Sequence, residues 1–117
     1  MTDHPTADLD DVVHQRHRLG ILTIAAEAKQ VEFGYLRDAL GLTAGNLSRH
    51  ITVLEEAELV KVRKGYEGKR PKTWVRITDG GRTALAKELT VLRALVNVNP
   101  QPAPEPAPEP EPEPPAG

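Results

Sequence analysis

Small polar residues and one arginine share one side of a short amphipathic stretch, TAGNLSRHITVLEE (43–56). Leu47, Ile51 and Leu54 recur at helical spacing and form one apolar stripe. At about 100° per residue, Arg49 and Thr52 lie opposite that stripe. In the major groove of DNA, arginine donates hydrogen bonds to guanine and asparagine pairs with adenine. The pattern therefore predicts a DNA-reading helix with these contact residues: Thr43, Gly45, Asn46, Ser48, Arg49 and Thr52.

The expected roles within this helix differ from residue to residue. Arg49 is the candidate reader of guanine, Asn46 suits adenine or a phosphate, and Ser48 suits a phosphate. Gly45 allows the first turn to approach its ligand closely. His50 flanks the apolar stripe, so we expect it to be packed or bonded to the backbone rather than to read a base. The alternative interpretation of the whole pattern is an ordinary solvated helix face.

Seven lysine and arginine residues lie between residues 61 and 76, with Glu67 as the one acid. Cations on a narrow projection neutralise phosphates and release counterions. Lys69 and Arg70 fall at the predicted tip, where an arginine can enter a narrow minor groove. The alternative is a charged hairpin that only protects its own edge from pairing. The predicted phosphate-binding residues are Arg63, Lys64, Lys69, Arg70 and Lys72.

Other chemistry has little support in this sequence. His14 and His17 stand one turn apart, a permissible spacing for metal ligands, but the chain has no cysteine and we find no further ligands nearby. A structural or solvent role is therefore the expectation for both. No nucleophile–base set, paired carboxylates or phosphate-binding glycine loop is present. We predict no catalytic residues, no metal, no cofactor and no enzymatic activity.

The elements that must position these residues follow the order helix, helix, helix, hairpin, helix. Apolar spacing predicts the first helix over residues 9–28, with Gly20 marking a bend, and KQVEF (29–33) as a connector. The stretch GYLRDALGL predicts a second short helix, with Gly41 as its C-terminal cap and Thr43 as the N-cap of the third. Helices two and three therefore form a helix–turn–helix.

Period-two alternation predicts a β-hairpin after the third helix. Val60, Val62, Val75 and Ile77 should face the core, while the basic residues occupy the other face and the tip. Trp74 lies between Lys72 and Arg76 along that other face, which permits cation–π stacking. The last helix should begin at Thr78 as N-cap, with leucines recurring at helical spacing behind two consecutive glycines.

Composition divides the 117 residues into three parts. Residues 1–8 are expected to be a flexible N-terminus and residues 9–98 one small domain. Residues 99–117, rich in proline and glutamate, are expected to be a disordered tail, largely in polyproline II conformation. The chain is −2 overall and each end contributes −4, so residues 14–99 carry +6. A basic body with acidic ends suits a polyanionic partner.

The apolar residues of the terminal helices exceed what so small a domain buries alone, which predicts a homodimer. The expected interface residues are Leu9, Val12, Val13, Leu89, Leu92 and Val96. No signal sequence or run of membrane-spanning length is evident, and the lack of cysteine fits the cytosol, so a cytoplasmic location without membrane contact is expected.

The helix–turn–helix followed by a basic hairpin resembles the winged-helix transcriptional regulators of the MarR-like group, and most closely their short single-domain members. The segments that carry the resemblance are FGYLRDALGLTAGNLSRHITVLEEAELV, KGYEGKRPKTWVRIT and ITDGGRTAL. The resemblance implies that helix 44–57 enters the major groove, that the hairpin reaches the DNA backbone or minor groove, and that terminal helices pair two chains. Longer members of the group bind small molecules between their dimerisation and DNA-binding parts, and this chain has few residues for such a pocket, so whether a small-molecule effector binds is left open.

One position departs from the family pattern. Family members usually have a glycine where this chain has Glu58, and that glycine ends the recognition helix in a left-handed turn. A glutamate in the same conformation costs about 1 kcal/mol. The sequence therefore predicts either a strained Glu58 or a different turn at this point.

These features support one leading interpretation and leave two alternatives open. The leading one is a homodimeric, sequence-specific regulator that binds a palindromic operator on double-stranded DNA and acts as a repressor. One alternative is a winged-helix protein adaptor that docks through its Pro/Glu tail, and the other is a non-specific architectural DNA binder. The tail itself is expected either to compete with phosphates for the basic hairpin or to be a solubilising spacer.

Overall fold

The N-terminal part of the chain is built differently from the predicted long helix. The computed structural model describes residues 4–98, so the predicted tail, 99–117, lies outside the described residues. A short 3-10 helix at Pro5–Asp8 packs against the last helix, where the sequence predicted a loose end. Helix α1 then covers only Arg16–Glu27. The prediction of a helix from residue 9 was therefore wrong over residues 9–15.

Two polar side chains explain this late helix start. The Asp10 carboxylate accepts the backbone N–H groups of Val12 (2.9 Å) and Val13 (3.4 Å), which holds the chain in a turn. The Gln15 side chain then accepts N–H groups from His17 and Arg18 and acts as the N-cap of α1. The helical spacing of apolar residues continues across this turn, but the helical pattern of backbone hydrogen bonds does not.

Gly20 lies inside α1 and marks no bend. A Cβ atom there would stand 2.7 Å from Cδ2 of Leu40, so the missing side chain lets α1 and α2 approach closely. Helix α2 covers Phe33–Leu40 and ends at Gly41, whose φ of 64° is left-handed, as predicted for a C-cap. Helix α3 covers Ala44–Glu56 and begins at Thr43, whose hydroxyl accepts the Asn46 N–H at 3.1 Å. The predicted helix–turn–helix is confirmed.

A three-stranded antiparallel sheet replaces the simple hairpin. Strands β2 (Val60–Glu67) and β3 (Arg70–Ile77) pair along their whole length, and β1 (Val31–Glu32) pairs with the outer edge of β3. The sequence missed β1 because two residues are too few to show a period of two. Helix α4 covers Asp79–Val96 and completes a winged helix.

The core lies between the inner face of this sheet and the helices. Every predicted inward residue of the hairpin contributes, with Val60, Val75 and Ile77 buried and Val62 packed half-buried against them. From the helices come α1 residues Ile21, Leu22 and Ala25, together with Leu36, Leu85 and the α3 stripe. One group of residues therefore positions α3 relative to the β2–β3 hairpin, which we call the wing (residues 60–77).

Val13 belongs to this core as well, and its side chain is completely buried. Its predicted place in a dimer interface is therefore wrong, because a surface between two chains needs a side chain that the single chain leaves accessible. The helical spacing that suggested an exposed face at Val13 does not apply, since the Asp10 turn directs the residue inward.

Glu58 adopts the left-handed conformation with φ 62°, and among the described residues it is the one non-glycine residue with positive φ. Its carbonyl accepts the Thr78 hydroxyl at 2.7 Å, and the Thr78 N–H donates to Leu59 O at 3.0 Å. Gly81 faces the same backbone, since a Cβ atom there would collide with the Leu59 carbonyl oxygen. The end of α3 and the start of α4 are thus joined through the first residues after α3.

The strain at Glu58 gives a stability prediction. Glu58→Gly should stabilise the fold by about 0.5–1 kcal/mol, since relief of about 1–2 kcal/mol of left-handed strain exceeds the entropic cost of one glycine. Urea unfolding should show a higher midpoint with an unchanged slope. Lys87→Gly, an exposed change within α4, is the control and should destabilise by about 1 kcal/mol. Equal destabilisation by both glycines would contradict the assignment of strain.

Candidate nucleic-acid interface

Helix α3 presents a continuous polar face to solvent. Leu47 and Leu54 are fully buried and Ile51 is 5% exposed, so the predicted apolar stripe is the buried side. The predicted contact residues all lie on the exposed part of the helix or its cap: Thr43, Gly45, Asn46, Ser48, Arg49 and Thr52. Apart from the adjoining backbone of α3 itself, no atom lies within 4 Å of a Cβ built on Gly45, which leaves the first turn open to close approach.

Local hydrogen bonds restrict what the two threonines can do. Thr43 Oγ1 already accepts the Asn46 N–H, so its remaining capacity includes its own O–H as a donor. Thr52 Oγ1 donates to Ser48 O at 2.9 Å and keeps its lone pairs as acceptors. The side chains of Asn46 and Arg49 make no hydrogen bond within residues 4–98, so their donors remain available to a ligand.

A groove runs between α3 and the inner side of the wing. Ser48 and Thr52 line it on the helix side, and Lys64 and Thr73 line it on the wing side. Glu55 also lines this groove and was missed by the sequence analysis, which stopped at Thr52. A carboxylate here can accept from the cytosine amino group and repels a phosphate. The groove therefore combines one cation, Lys64, and one anion, Glu55, beside the exposed polar face of α3.

The five predicted wing cations do not form a single cluster. Lys64 follows the alternation of Val62 and faces the α3 groove. Lys69 and Arg70 are exposed beside Gly68, whose φ of 63° makes the tip turn. These three side chains make no ion pair within 4 Å in the described part of the chain. Of the five predicted wing cations, these three have neither an ion pair nor a cation–π contact among residues 4–98.

Arg63 is already occupied on the opposite face of the sheet. Its guanidinium carbon lies 4.5 Å from the ring centroid of Trp74, and its Nη2 donates to Gln30 Oε1 at 3.3 Å. Along the strand, Trp74 lies between Lys72 and Arg76, which suggested one of those two residues as its cation–π partner. The observed cation–π partner is instead Arg63, because antiparallel pairing sets Arg63 directly opposite Trp74.

Lys72 also has a structural partner. Its Nζ lies 2.7 Å from Glu32 Oε1 and 3.8 Å from Glu67 Oε2. The hydrogen bond that Lys72 donates to Glu32 raises the pKa of Lys72 above its ordinary value, with smaller contributions from both carboxylate charges. Lys72 thus joins the wing to the start of α2 and is less available to a phosphate than the tip residues.

A second groove between α2 and the wing adds a cation that the sequence analysis missed. Arg37 lines this groove together with Arg70 and Pro71. Its Nε lies 3.1 Å from Asp38 Oδ1, but the side chain is still 43% exposed. Arg37 directly follows the buried Leu36 in the chain. The apolar spacing of α2 therefore indicates that Arg37 lies at the edge of the buried helix face, but it does not indicate that Arg37 lies beside the wing.

His50 connects the recognition helix to the N-terminal segment. Its ring centroid lies 5.3 Å from that of His17, with the two ring planes tilted by 47°, and Arg18 Nη1 lies 3.4 Å from His50 Nδ1. Burial, followed by the nearby charges of Arg18, His17 and Arg49, lowers the pKa of His50 below its ordinary value of 6.5. A neutral His50 can accept from Arg18, which also donates to Val12 O (2.6 Å). The expectation that His50 packs rather than reads a base agrees with this geometry, although its partner is a side chain.

The two histidines considered as metal ligands point to different partners. His14 Nδ1 lies 2.9 Å from Oε1 of the buried Glu88, whereas the His17 ring contacts the His50 ring. Within residues 4–98, no three histidine, cysteine, aspartate or glutamate residues are grouped to hold a metal ion. None of the helices in the same span is long and apolar enough to cross a membrane.

Comparison with known proteins agrees with this geometry. Residues 17–96 match the family model described as winged helix DNA-binding domain. An uncharacterised protein of Methanocaldococcus jannaschii is 40% identical over 67 residues, which cover 57% of this chain and 73% of that protein. A transcriptional regulator homologue from Pyrococcus horikoshii OT3 superposes with a TM-score of 0.67 at 36% identity, covering 73% of this chain and 84% of that one.

A MarR family transcriptional regulator from Silicibacter pomeroyi shares the fold, with a TM-score of 0.59 at 20% identity over 77% of this chain and 60% of that one. The resemblance inferred from the motifs is confirmed. The matched span contains the helix–turn–helix, the wing and α4, so the chain belongs to the winged helix DNA-binding domain family.

Proposed function

We propose that the chain is a homodimeric, sequence-specific DNA-binding regulator that acts as a repressor on a palindromic operator. The observation that carries the proposal is the exposed polar face of α3, opposite its buried stripe and beside a wing tip with free cations. A helix with one side packed and the other unoccupied fits the major groove, which admits one α-helix. The cytoplasmic location that we expect from the sequence would give the chain access to DNA.

The side chains divide into base readers and phosphate binders. Arg49 and Asn46 have unoccupied donors on the outer side of α3 and are the proposed readers of guanine and adenine. Ser48 and Thr43 supply hydroxyls for phosphates, and Lys69 and Arg70 extend the contact along the backbone or into the adjacent minor groove. Arg37 joins the phosphate binders because it lies beside Arg70.

The proposal of repression rests on the small number of elements in the fold. Occupying an operator is enough to block a polymerase. Residues 4–98 are taken up by the core, the helix–turn–helix, the wing and α4, and no separate activating unit is evident among them. A two-fold dimer requires an operator with matching symmetry, with half-site centres about 34–36 Å apart.

Helix α4 supplies the main support for dimerisation. Val96 is 80% exposed and Val98 is 53% exposed, while Leu92 is half-buried on the same helix. Leu89 and Val12 pack against the core, so they would contribute only their outer surfaces to the dimer interface. Leu9 is also half-buried. The proposed interface therefore centres on the C-terminal half of α4 and excludes Val13.

Arg49→Ala should weaken specific binding and relax the sequence preference at one or two base pairs, since a bidentate contact contributes about 1–3 kcal/mol of discrimination. Arg49→Lys is the matched variant, because it keeps the charge but cannot form the two-pronged bond. Binding to systematically varied duplexes measures both effects. If Arg49→Ala leaves affinity and preference intact, α3 is not a base reader and an adaptor role becomes the better account.

The wing tip should affect all DNA sequences alike. Lys69→Ala/Arg70→Ala should lower affinity for specific and random duplexes in parallel and make the slope of log K against log salt shallower by roughly 1–2. Lys61→Ala/Arg76→Ala removes the same charge from the opposite face of the sheet and serves as the control. An equal loss of salt dependence in both variants would mean that only net charge matters.

Val96→Glu should prevent dimerisation without unfolding the chain, because the side chain is 80% exposed in the single chain. Sedimentation at micromolar concentration should show monomers, and affinity for a two-half-site operator should fall towards that for one half-site. Thr90→Glu adds the same charge at another exposed position of α4 and should leave the dimer intact. A wild-type monomer that binds a single half-site tightly would refute the dimer.

A further inference from the structure

The outer face of the sheet carries a second basic surface that the proposed function does not use. Antiparallel pairing and alternation place Lys61, Arg63 and Arg76 on the face opposite Val60, Val62 and Val75. Lys29 and Arg82 line the same groove as Lys61 and Arg76, where the start of α4 meets the sheet. We call this group the rear cationic surface: Lys29, Lys61, Arg63, Arg76 and Arg82.

This surface is turned away from the DNA-reading side. Helix α3 packs on the inner face of the sheet, where Val62 and Thr73 line a groove with Ser48 and Thr52. A duplex held by α3 and the wing tip lies on that inner side and cannot reach Lys61 or Arg76. The rear cations therefore have no role in the proposed operator complex.

The charges of the rear surface are poorly compensated. Lys61 and Arg76 are direct cross-strand partners, an arrangement in which like charges repel. Asp79 is the one acid that lines their groove. In the described part of the chain, none of the five rear cations forms an ion pair within 4 Å. Such a cluster favours an acidic ligand.

The chain contains a segment of matching charge. Residues 99–117 carry four glutamates, Glu105, Glu109, Glu111 and Glu113, and no lysine or arginine. Helix α4 begins at Asp79 beside the rear surface and runs about 27 Å to Val96, at 1.5 Å per residue. Nineteen residues at about 3.1 Å each reach roughly 59 Å, which is enough to return along α4.

We propose that the Pro/Glu segment 99–117 binds the rear cationic surface of its own chain. Covalent attachment supplies a high effective concentration, so that weak and salt-sensitive contacts suffice. The bound segment neutralises the rear surface and prevents a second duplex from binding there without sequence preference. The inference stands independently of the proposed operator binding, and it leaves the wing tip free for DNA.

Paramagnetic labelling of the full chain, without DNA, tests this directly. Because the chain has no cysteine, Ala107→Cys accepts a single nitroxide label within the segment. At about 0.01 M ionic strength, where charges act over about 30 Å, the label should broaden amide signals around residues 29, 61–63, 74–76 and 82. At about 1 M the broadening should disappear.

Two variants of the labelled full chain identify the interaction. Exchanging all four glutamates (Glu105→Gln, Glu109→Gln, Glu111→Gln and Glu113→Gln) and, separately, Lys61→Ala/Arg76→Ala should each remove most of the broadening at low salt. Broadening centred on Lys69 and Arg70, or broadening that survives the glutamine exchange, would overturn the proposal. The proposal would also be overturned if the label left the amide signals of the rear surface unaffected and those signals shifted when a random-sequence duplex was added. The rear surface would then bind DNA rather than the segment.

Discussion

The junction at Leu59 is the constraint on which the rest of the molecule depends. Its N–H donates to Leu54 O at 2.9 Å and closes α3, while its carbonyl accepts the Thr78 N–H at 3.0 Å. The same carbonyl lies against Gly81, where any side chain would collide with it. The end of the recognition helix, the start of the wing and the start of α4 therefore meet at one residue. The left-handed Glu58 is the conformational cost of that arrangement.

This junction determines how the basic residues are distributed. With β2 fixed at Val60, strict alternation sends Lys64 towards α3 and sends Lys61 and Arg63 to the opposite face. The total charge of the hairpin is therefore a poor guide to its contacts. The free cations at the tip, the paired Lys72 and the stacked Arg63 have different surroundings, although the sequence shows them as one run.

Local chemistry made much of the fold and of α3 predictable. Gly41, Thr43 and Thr78 were identified as caps because their residue types satisfy the backbone groups at helix ends, and the α3 stripe followed from helical spacing. The predictions were wrong where a side-chain hydrogen bond or a partner strand determined the structure instead of the spacing of residues along the chain. The Asp10 and Gln15 side chains accept hydrogen bonds from backbone N–H groups. The cation–π partner of Trp74 depends on the register between β2 and β3, which the sequence of one strand does not show.

Selection from sheared genomic DNA at two salt concentrations tests whether α3 and the wing recognise a particular DNA sequence. At low salt many fragments should bind, because phosphate contacts dominate. At high salt the retained fragments should share one inverted repeat with half-site centres about 34–36 Å apart. Retained fragments without a common sequence would contradict the account and favour an architectural binder, and no retained DNA at either salt concentration would favour an adaptor.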